Sequence, residues 1–263
     1  MSFNGKVAIV TGSGGGIGKA IAIELYKMGT NVILFDLNES ALKDVKKELE
    51  SINIKNNGNS VKIYSIDITN SEKVKTVIKE IADRFNKIDI LVNSAGVISS
   101  FPLLKLEENE WDRIININLK GTFLVTKYVV SEMIEKMNGK IVNIGSDLSY
   151  SGQKLLSHYV TSKHGVLGFT RSIALECAEY GILVNAVCPG PTETSLHHKD
   201  VDMQIGYTGI SKQEHLRKEL EHIPLKKLGK PIEVAKAVLF LVSDDNTHIT
   251  GASLTVNGGI VMN

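Results

Sequence analysis

The chain has 263 residues, with 30 Lys and Arg against 29 Asp and Glu and a formal net charge of +1. Apolar residues make up 43% and charged residues 22%, a balance that is typical of a folded globular protein and excludes a disordered or fibrous one. The near-neutral charge argues against a nucleic-acid binder or a membrane-surface binder, because both usually carry a basic excess.

The cysteines and the N-terminus indicate the compartment. Only Cys177 and Cys188 are present, which excludes a disulfide framework and a four-cysteine zinc site and favours a reducing compartment. Residues 1–10 lack the charged and then apolar pattern of a signal peptide. The longest apolar run, 237–242, is too short to span a bilayer. We expect a cytoplasmic protein without membrane contact.

Short apolar runs alternate with longer helical patterns along the chain. The predicted strands are residues 6–11, 31–36, 61–66, 89–93, 140–145, 182–187 and 253–256. The predicted helices are residues 17–28, 39–54, 71–85, 110–137, 157–180 and 231–242. Residues 53–60 resemble a polar surface turn, and residues 189–224 a polar, irregular stretch. The alternation predicts one α/β domain over residues 1–263, a doubly wound parallel sheet of about seven strands with helices on both faces.

A glycine-rich turn joins the first predicted strand to the first predicted helix. Gly12, Gly16 and Gly18 follow a T-G-x-x-x-G-x-G spacing. Glycines permit a tight turn, and the helix N-terminus behind them offers N–H groups to a phosphate. The Walker pattern fails because Ala20 replaces the required Ser or Thr, and G-x-G-x-x-G fails at Ile17. We expect a dinucleotide phosphate here; a flexible tight turn is the alternative.

Asp36 ends the second predicted strand, 18 residues after Gly18. In a dinucleotide fold, an acid at this point accepts hydrogen bonds from the adenosine ribose hydroxyls, and its charge repels a 2′-phosphate. The residue therefore favours NAD over NADP as the cofactor. The alternative is a solvated aspartate at a strand end.

A tyrosine and a lysine stand four residues apart on a predicted helix. This spacing places Tyr159 and Lys163 on one helix face. A neighbouring ammonium lowers the pKa of a phenol, so the pair is suited to exchange a proton with an alcohol or a carbonyl. The Tyr-x-x-x-Lys spacing alone is common by chance, and surface residues are the alternative interpretation.

Two further polar residues stand at informative places. Ser146 follows a strand at the sheet edge where open α/β sheets bind ligands, so its hydroxyl is a candidate partner for a substrate oxygen. Asn118 lies next to Leu119-Lys120-Gly121 in a predicted helix, where Asn and Gly are locally unfavourable. Such local conflicts tend to mark function or strain. A serine that caps a turn and a surface asparagine are the alternatives.

Together these residues resemble the short-chain dehydrogenase/reductase family over nearly the whole chain. Asn93-Ser94-Ala95-Gly96 is similar to the family's Asn-Asn-Ala-Gly motif, with Ser94 replacing the second Asn. Asn257 stands where the C-terminal signature usually has Asp. The resemblance implies a Rossmann fold and a set of residues that contact NAD. These are Gly12, Gly16, Ile17, Gly18, Asp36, Asp67, Ile68, Asn93, Ala95, Gly96, Tyr159, Lys163, Pro189, Gly190, Thr192 and Thr194.

The resemblance also implies a catalytic tetrad. Tyr159 is the general base in alcohol oxidation and the acid in carbonyl reduction. Lys163 lowers the pKa of Tyr159 and binds the nicotinamide ribose. Ser146 orients the substrate oxygen, and Asn118 holds a water that links Lys163 to solvent.

The substrate pocket of this family is built from the turn after the fifth strand and the stretch after the sixth. Ser146, Asp147, Gln153 and Tyr159 are the expected substrate contacts, and the neighbouring Ser149, Ser151 and His158 are also polar. We expect a sugar or polyol as the small-molecule substrate, with His158-Tyr159 as a weak cue from sugar dehydrogenases. The alternatives are a 3-oxoacyl thioester or a small hydroxy ketone, and, more distantly, a dinucleotide-binding protein without turnover.

The segment after the sixth predicted strand is a candidate for a mobile lid. Residues 195–223 form a long polar stretch that we expect to act as a lid over the substrate. His197, His198, His215 and His222 have no recognisable metal-ligand spacing, so no metal site is expected.

The resemblance further implies a homotetramer. The long helices 110–137 and 157–180 and the apolar segment 232–242 offer surfaces that could pair across a two-fold axis. The alternative is that these apolar residues face the chain's own core.

Overall fold

The computed structural model describes residues 3–52 and 58–262. Seven parallel strands form one sheet in the order β3-β2-β1-β4-β5-β6-β7. The strands are β1 Val7–Thr11, β2 Asn31–Asp36, β3 Val61–Ser65, β4 Ile90–Asn93, β5 Gly139–Ile144, β6 Ile182–Pro189 and β7 Ser253–Val256. The predicted doubly wound α/β architecture is confirmed, and all seven predicted strands are present.

Helices cover both faces of this sheet. They are α1 Gly16–Lys27, α2 Glu39–Ser51, α3 Ser71–Phe85, α4 Glu108–Ile115, α5 Thr122–Ile134, α6 Ser157–Cys177, α7 Ser195–Thr208, α8 Lys212–His222 and α9 Pro231–Val242. Buried apolar residues of α1, α2 and α9 pack on one face, and those of α3, α5 and α6 on the other. The strands between the two edges are therefore buried on both sides, which explains their continuous apolar sequences, whereas the edge strands β3 and β7 are partly exposed.

The predicted helix 110–137 is interrupted in the structure. A wide π-helical turn, Asn116–Gly121, separates α4 from α5. The backbone stays in the right-handed helical region across both junctions, so the apolar period hardly changes. The hydroxyl of Thr122 donates to the carbonyl oxygen of Asn118 (2.8 Å). π-turns within helices often occur at functional sites.

The expectation of an irregular stretch over residues 189–224 is wrong, because the segment contains α7 and α8. Thr194 caps α7 by accepting from the His197 N–H (3.2 Å), and Ser211 caps α8 by accepting from the Glu214 N–H (3.2 Å). The polar side chains of α7 include two buried residues, Asp200 and Gln204, so the segment shows no clear apolar period.

Two sequence predictions fall partly on undescribed residues. The predicted end of the second helix near residue 54, and most of the turn at 53–60, lie outside the described residues. In the part of the chain that the structure describes, no helix combines the length and the apolar character that crossing a bilayer requires.

Candidate active site

A cavity of about 480 Å³ opens at the carboxyl ends of the strands. The strand order reverses between β1 and β4, and ligands of open α/β sheets bind at such a switch point. The glycine turn before α1 forms one wall of this cavity. The ends of β5 and β6, with residues of α6, α7 and α8, form the others.

The glycine turn is held close to the strand-four loop. Gly12 has φ +65°, and a Cβ there would lie 2.6 Å from the Ala95 Cα, so a side chain is excluded. The Thr11 hydroxyl accepts from the Ser94 and Ala95 N–H groups, both at 3.0 Å. Among the described residues, no side chain caps the N-terminus of α1. Its amide groups beside the cavity therefore suit a dinucleotide phosphate.

Asp36 lies at the rim of this turn and faces the cavity. One carboxylate oxygen accepts from the Gly14 N–H and the other from the Asn38 N–H, both at 2.9 Å. A carboxylate oxygen has more than one acceptor site, so both oxygens can still receive hydroxyl groups. The following residue, Leu37, is 72% exposed.

The structure divides the other expected cofactor residues into two groups. The following line the cavity: Gly12, Gly16, Ile17, Gly18, Gly96, Pro189, Gly190, Thr192 and Thr194. Asp67, Ile68, Asn93 and Ala95 do not line it. Asp67 accepts from the Thr69 N–H. The buried Asn93 amide donates to Thr126 (2.9 Å) and Asn143 (2.8 Å), so Asn93 links β4 to α5 and β5.

Tyr159 and Lys163 lie on the same face of α6 and both line the cavity. The Lys163 Nζ is 5.7 Å from the centre of the Tyr159 ring and donates to the Ile144 carbonyl oxygen (2.8 Å). Burial lowers the pKa of Lys163 to about 8. The pKa of Lys163 is therefore close to neutral pH, where the group can both give up and take up a proton.

The effect of Lys163 on the pKa of Tyr159 stays a prediction, because other groups dominate the surroundings of the phenol in the chain alone. Burial raises the pKa of the Tyr159 phenol well above its ordinary value, and the nearby charge of Asp147 raises it further. The hydrogen bond with Ser146 acts in the opposite direction. The Tyr159 phenol is therefore protonated at neutral pH and can donate its proton.

Ser146 stands at the end of β5 and faces the same cavity. Its hydroxyl donates to an Asp147 carboxylate oxygen (2.8 Å) and accepts from the Leu148 N–H (3.1 Å). Both Ser146 and Asp147 are buried. Burial raises the pKa of Asp147 above its ordinary value. Asp147 therefore competes with a substrate oxygen for the Ser146 proton.

Asn118 lies within the π-turn and next to Gly96 of the cavity wall, but it does not line the cavity itself. Its amide group forms both hydrogen bonds to the Val97 backbone: the oxygen accepts from the N–H (2.8 Å) and the nitrogen donates to the carbonyl (2.9 Å). A Cβ at Gly96 would lie 3.4 Å from the Asn118 Oδ1 and 3.7 Å from the Lys163 Nζ, so both side chains end close to Gly96.

The four expected substrate contacts, Ser146, Asp147, Gln153 and Tyr159, line the cavity, but two polar neighbours face elsewhere. His158 is fully buried, and its Nε2 lies 2.8 Å from the Ser99 hydroxyl, which in turn bonds to Glu110. Ser149 donates to the Lys163 carbonyl oxygen (3.0 Å). Neither residue lines the cavity, so His158-Tyr159 carries no information about a sugar. Asp147 and Gln153 do line it.

Residues that the sequence analysis did not assign to the substrate pocket complete its wall. Ile98 and Leu156 line it, and α7 and α8 add His197, Asp200, Gln204 and Glu219. The i, i+4 spacing of Asp200 and Gln204 would have revealed one helix face, had the segment been interpreted as helical.

The fold and this site define a nicotinamide-dependent oxidoreductase of the Rossmann type. Sequence comparison agrees, because the model of the short chain dehydrogenase family matches residues 6–205. The chain belongs to the short-chain dehydrogenase/reductase family.

The relatives carry several activities in their names. The 3-oxoacyl-(acyl-carrier-protein) reductase FabG of Thermotoga maritima is 37% identical over 262 residues, which covers 100% of both chains. NAD⁺-bound xylitol dehydrogenase superposes with a TM-score of 0.93 and 32% identity, covering 98% of this chain and 100% of its own. An actinorhodin polyketide ketoreductase variant with NADPH superposes with a TM-score of 0.92 and 32% identity, and the match covers 99% of both chains. The protein is therefore an enzyme that uses a nicotinamide dinucleotide.

Proposed function

We propose that the enzyme interconverts a secondary alcohol and a ketone with NAD as its cofactor. The observation that carries this proposal is the convergence of Tyr159, Lys163 and Ser146 on one cavity, beside the glycine turn. The nicotinamide ring supplies the hydride when it is bound. The chain's own residues then position the substrate oxygen and move the proton.

Each residue of the tetrad has a distinct task in this proposal. Tyr159 gives its proton to the carbonyl oxygen in reduction and takes it back in oxidation. Ser146 holds that oxygen, and Lys163 replenishes the phenol proton. The Asn118 side-chain amide is hydrogen-bonded to the Val97 backbone, so a relay water would bind more readily to the backbone carbonyl oxygen of Asn118. That oxygen accepts from Thr122 and has a second lone pair.

Asp36 supports NAD as the preferred cofactor. Its carboxylate faces the cavity at the end of β2, where the adenosine ribose binds in dinucleotide folds. A 2′-phosphate would bring a second negative charge to the same place. The neighbouring Leu37 and Asn38 offer no cation to offset it.

A 3-oxoacyl thioester is the substrate class that the comparisons support best. The relatives matching the full length of this chain at 37–38% identity carry the name 3-oxoacyl-(acyl-carrier-protein) reductase. Their names support this alternative better than the sugar or polyol first expected. Ile98, Leu148 and Leu156 give the cavity an apolar side for a short acyl chain.

A polyol remains the second candidate because of one specific observation. Xylitol dehydrogenase superposes on this chain with a TM-score of 0.93, and the cavity wall also carries Asp147, Gln153 and Asp200. These side chains are suitable partners for hydroxyl groups.

The reaction is tested by following NADH absorbance with purified enzyme. The N-acetylcysteamine thioester of acetoacetate represents the first class, and xylulose with its reverse substrate xylitol represents the second. We expect turnover of the thioester, and the Tyr159→Phe variant should lose about 10²- to 10⁴-fold in kcat. The matched control is Tyr128→Phe, whose hydroxyl contacts Ser71 on another face. No turnover of either class, or full activity of Tyr159→Phe, contradicts the proposal.

Further features belong to the same proposal. We propose one domain over residues 1–263 and a substrate lid formed by α7 and α8 at about 195–223. We also propose a cytoplasmic homotetramer. Exposed apolar side chains on α5, α6, α9 and β7 support assembly, among them Phe123, Leu175, Phe240 and Leu254.

A further inference from the structure

The cavity wall formed by the end of β5, α7 and α8 carries three carboxyl groups. Asp147 follows β5, Asp200 lies on α7 and Glu219 on α8, and all three line the cavity that holds Tyr159. Asp147 and Asp200 are 8% and 7% exposed. Buried acids are uncommon unless they bind a partner. Their convergence from three separate elements beside the reacting groups therefore calls for a ligand that they recognise.

Asp147 and Asp200 are fixed in place by neutral partners. The Ser146 hydroxyl and the Leu148 N–H donate to Asp147. The Ser100 hydroxyl donates to one oxygen of Asp200 (2.6 Å), and the Gln204 amide donates to the other (2.7 Å). Neutral donors orient these carboxylates without cancelling their charge. Both bonds of Asp147 fall on its Oδ1 and leave its Oδ2 as an acceptor, whereas each Asp200 oxygen accepts one of these bonds and keeps a second acceptor site.

Among the three acids, and within the described part of the chain, Glu219 alone lies within 4 Å of a basic side chain, the imidazole of His197. Its Oε2 lies 3.1 Å from the His197 Nε2, and neither buried atom forms a well-directed hydrogen bond within the described residues. Both groups therefore keep hydrogen-bonding capacity beside the cavity. Burial raises the pKa of both Asp147 and Asp200, and the charge of the nearby Glu219 raises both further.

Other occupants of this wall are less suitable. The described residues contain no group of acids, histidines or cysteines arranged to hold a metal ion. Of the cavity's lysines, Lys163 donates to the Ile144 carbonyl and Lys199 is exposed to solvent. The wall thus presents hydrogen-bond acceptors and negative charge to the part of the substrate next to the reacting carbonyl carbon.

We propose that Asp147, Asp200 and Glu219 select substrates by charge: they bind hydrogen-bond donors next to the reacting carbonyl and exclude a carboxylate there. This inference rests on the proposed function. It admits a 3-oxoacyl thioester whose carrier arm offers amide N–H groups, and it admits a hydroxy ketone. It rejects the free 3-oxo acid, because like charges at short range are costly in a buried site.

Four ketones of the form CH₃–CO–CH₂–X separate these cases. They are hydroxyacetone, aminoacetone, butan-2-one and acetoacetate, in which X is a hydroxyl, an ammonium, a methyl and a carboxylate. The kcat/KM with NADH is measured for each, and a compound that is not turned over is measured as an inhibitor of thioester reduction. We expect the hydroxyl and ammonium compounds to exceed butan-2-one, and acetoacetate to fall about tenfold or more below it.

The variant Glu219→Gln removes one charge of the wall. We expect the ratio of aminoacetone to acetoacetate kcat/KM to fall about tenfold. Glu221→Gln is the matched control, because Glu221 is on the same helix but exposed and paired with Arg217. Asp200→Asn is a second, independent variant and should shift the ratio in the same direction.

The outcomes separate the inference from the proposed function. Acetoacetate used as well as hydroxyacetone, or an unchanged ratio in both Glu219→Gln and Asp200→Asn, overturns the selection by charge. No reduction of any ketone or of the thioester overturns the proposed function instead.

Discussion

At the residue scale, Lys163 is a charged group held in a buried position for the reaction. Its pKa of about 8 is below the 10.5 of an unburied lysine, and its exposed fraction is 6%. Between these two pH values the unfolded chain binds more protons than the folded one, so stability rises with pH in that window. Below pH 8 the full cost of burying the ammonium remains.

Replacing Lys163 should therefore stabilise the fold while abolishing activity. We expect Lys163→Met to unfold at a higher temperature than the wild type at pH 7, and the difference should shrink as pH rises from 8 toward 10. Thermal unfolding across this range measures the effect. Lys120→Met, an exposed position on the π-turn, controls for the substitution itself. A wild type more stable than Lys163→Met at pH 7 would show that the ammonium is not penalised by burial.

Asp36 should decide between NAD and NADP. We expect Asp36→Ala to narrow the preference for NAD, because the carboxylate no longer accepts from the ribose or repels a 2′-phosphate. Adding Leu37→Arg should narrow it further, since Leu37 is 72% exposed and has room for the longer side chain. The measurement is the ratio of kcat/KM for the two cofactors.

The control for Asp36 is Glu39→Ala, an exposed acid at the start of α2 that pairs with Lys43. It should leave the ratio unchanged. A wild-type enzyme that uses both cofactors equally would refute this role for Asp36 and leave the assignment of the tetrad standing.

At the scale of elements, the π-turn packs directly on the loop after β3. A Cβ at Gly121 would lie 2.6 Å from the Ile68 Cδ1, whereas a Cβ at Gly206 on α7 would meet no atom within 4 Å. We expect Gly121→Ala to cost about 1–3 kcal/mol of unfolding free energy, because the added methyl group must displace Ile68.

Gly206→Ala is the matched test of the same substitution without a clash. It should be neutral or stabilise by up to about 1 kcal/mol, because alanine favours a helix interior. Urea unfolding of the two variants measures both effects. Equal stability of the two variants would show that the π-turn and the Ile68 loop are not tightly packed.

The sequence predicts some elements well and others poorly, for physical reasons. Buried strands such as 31–36 are continuous apolar runs, and α3 has a clear apolar period, so both were predicted with their observed bounds. The segment of α7 and α8 was predicted as irregular, because Asp200 and Gln204 take buried positions that are usually apolar.

The candidate active site also has features that the sequence predicts and features that it does not. The spacing of Tyr159 and Lys163 fixes their common helix face. The direction of a polar side chain, however, depends on partners distant in sequence. His158 faces Ser99, 59 residues away, instead of the substrate cavity. The pKa of Tyr159 also depends on burial and on Asp147, which the helix spacing alone does not reveal.

At the scale of the whole molecule, exposed apolar side chains point to assembly. Phe123 of α5 contacts Phe169 of α6 edge-to-face, and Leu175 on α6 is 82% exposed. On β7, a strand at the sheet edge, Leu254 is 39% exposed. These surfaces support the proposed homotetramer, in which they would form two-fold contacts.

Sedimentation at micromolar concentration measures this assembly. We expect a species of four chains, each of 28.7 kDa, and partial dissociation by Leu175→Lys, which places a charge on the α5–α6 face. Leu104→Lys is the control, because Leu104 is 99% exposed in a separate loop. A wild type that sediments as a single chain at this concentration would refute the assembly.

The central claim is that this cavity transfers a hydride between a nicotinamide and a carbonyl carbon, with Tyr159 supplying the proton. Its most direct test uses NADH deuterated at both C4 positions, with the acetoacetyl thioester of N-acetylcysteamine and, separately, with xylulose. Mass spectrometry and NMR then locate the label in the product. The account predicts one deuterium on the new carbinol carbon with the wild type, and its formation slowed about 10²-fold or more with Tyr159→Phe. A product without deuterium at that carbon, or no product from either compound, would contradict it.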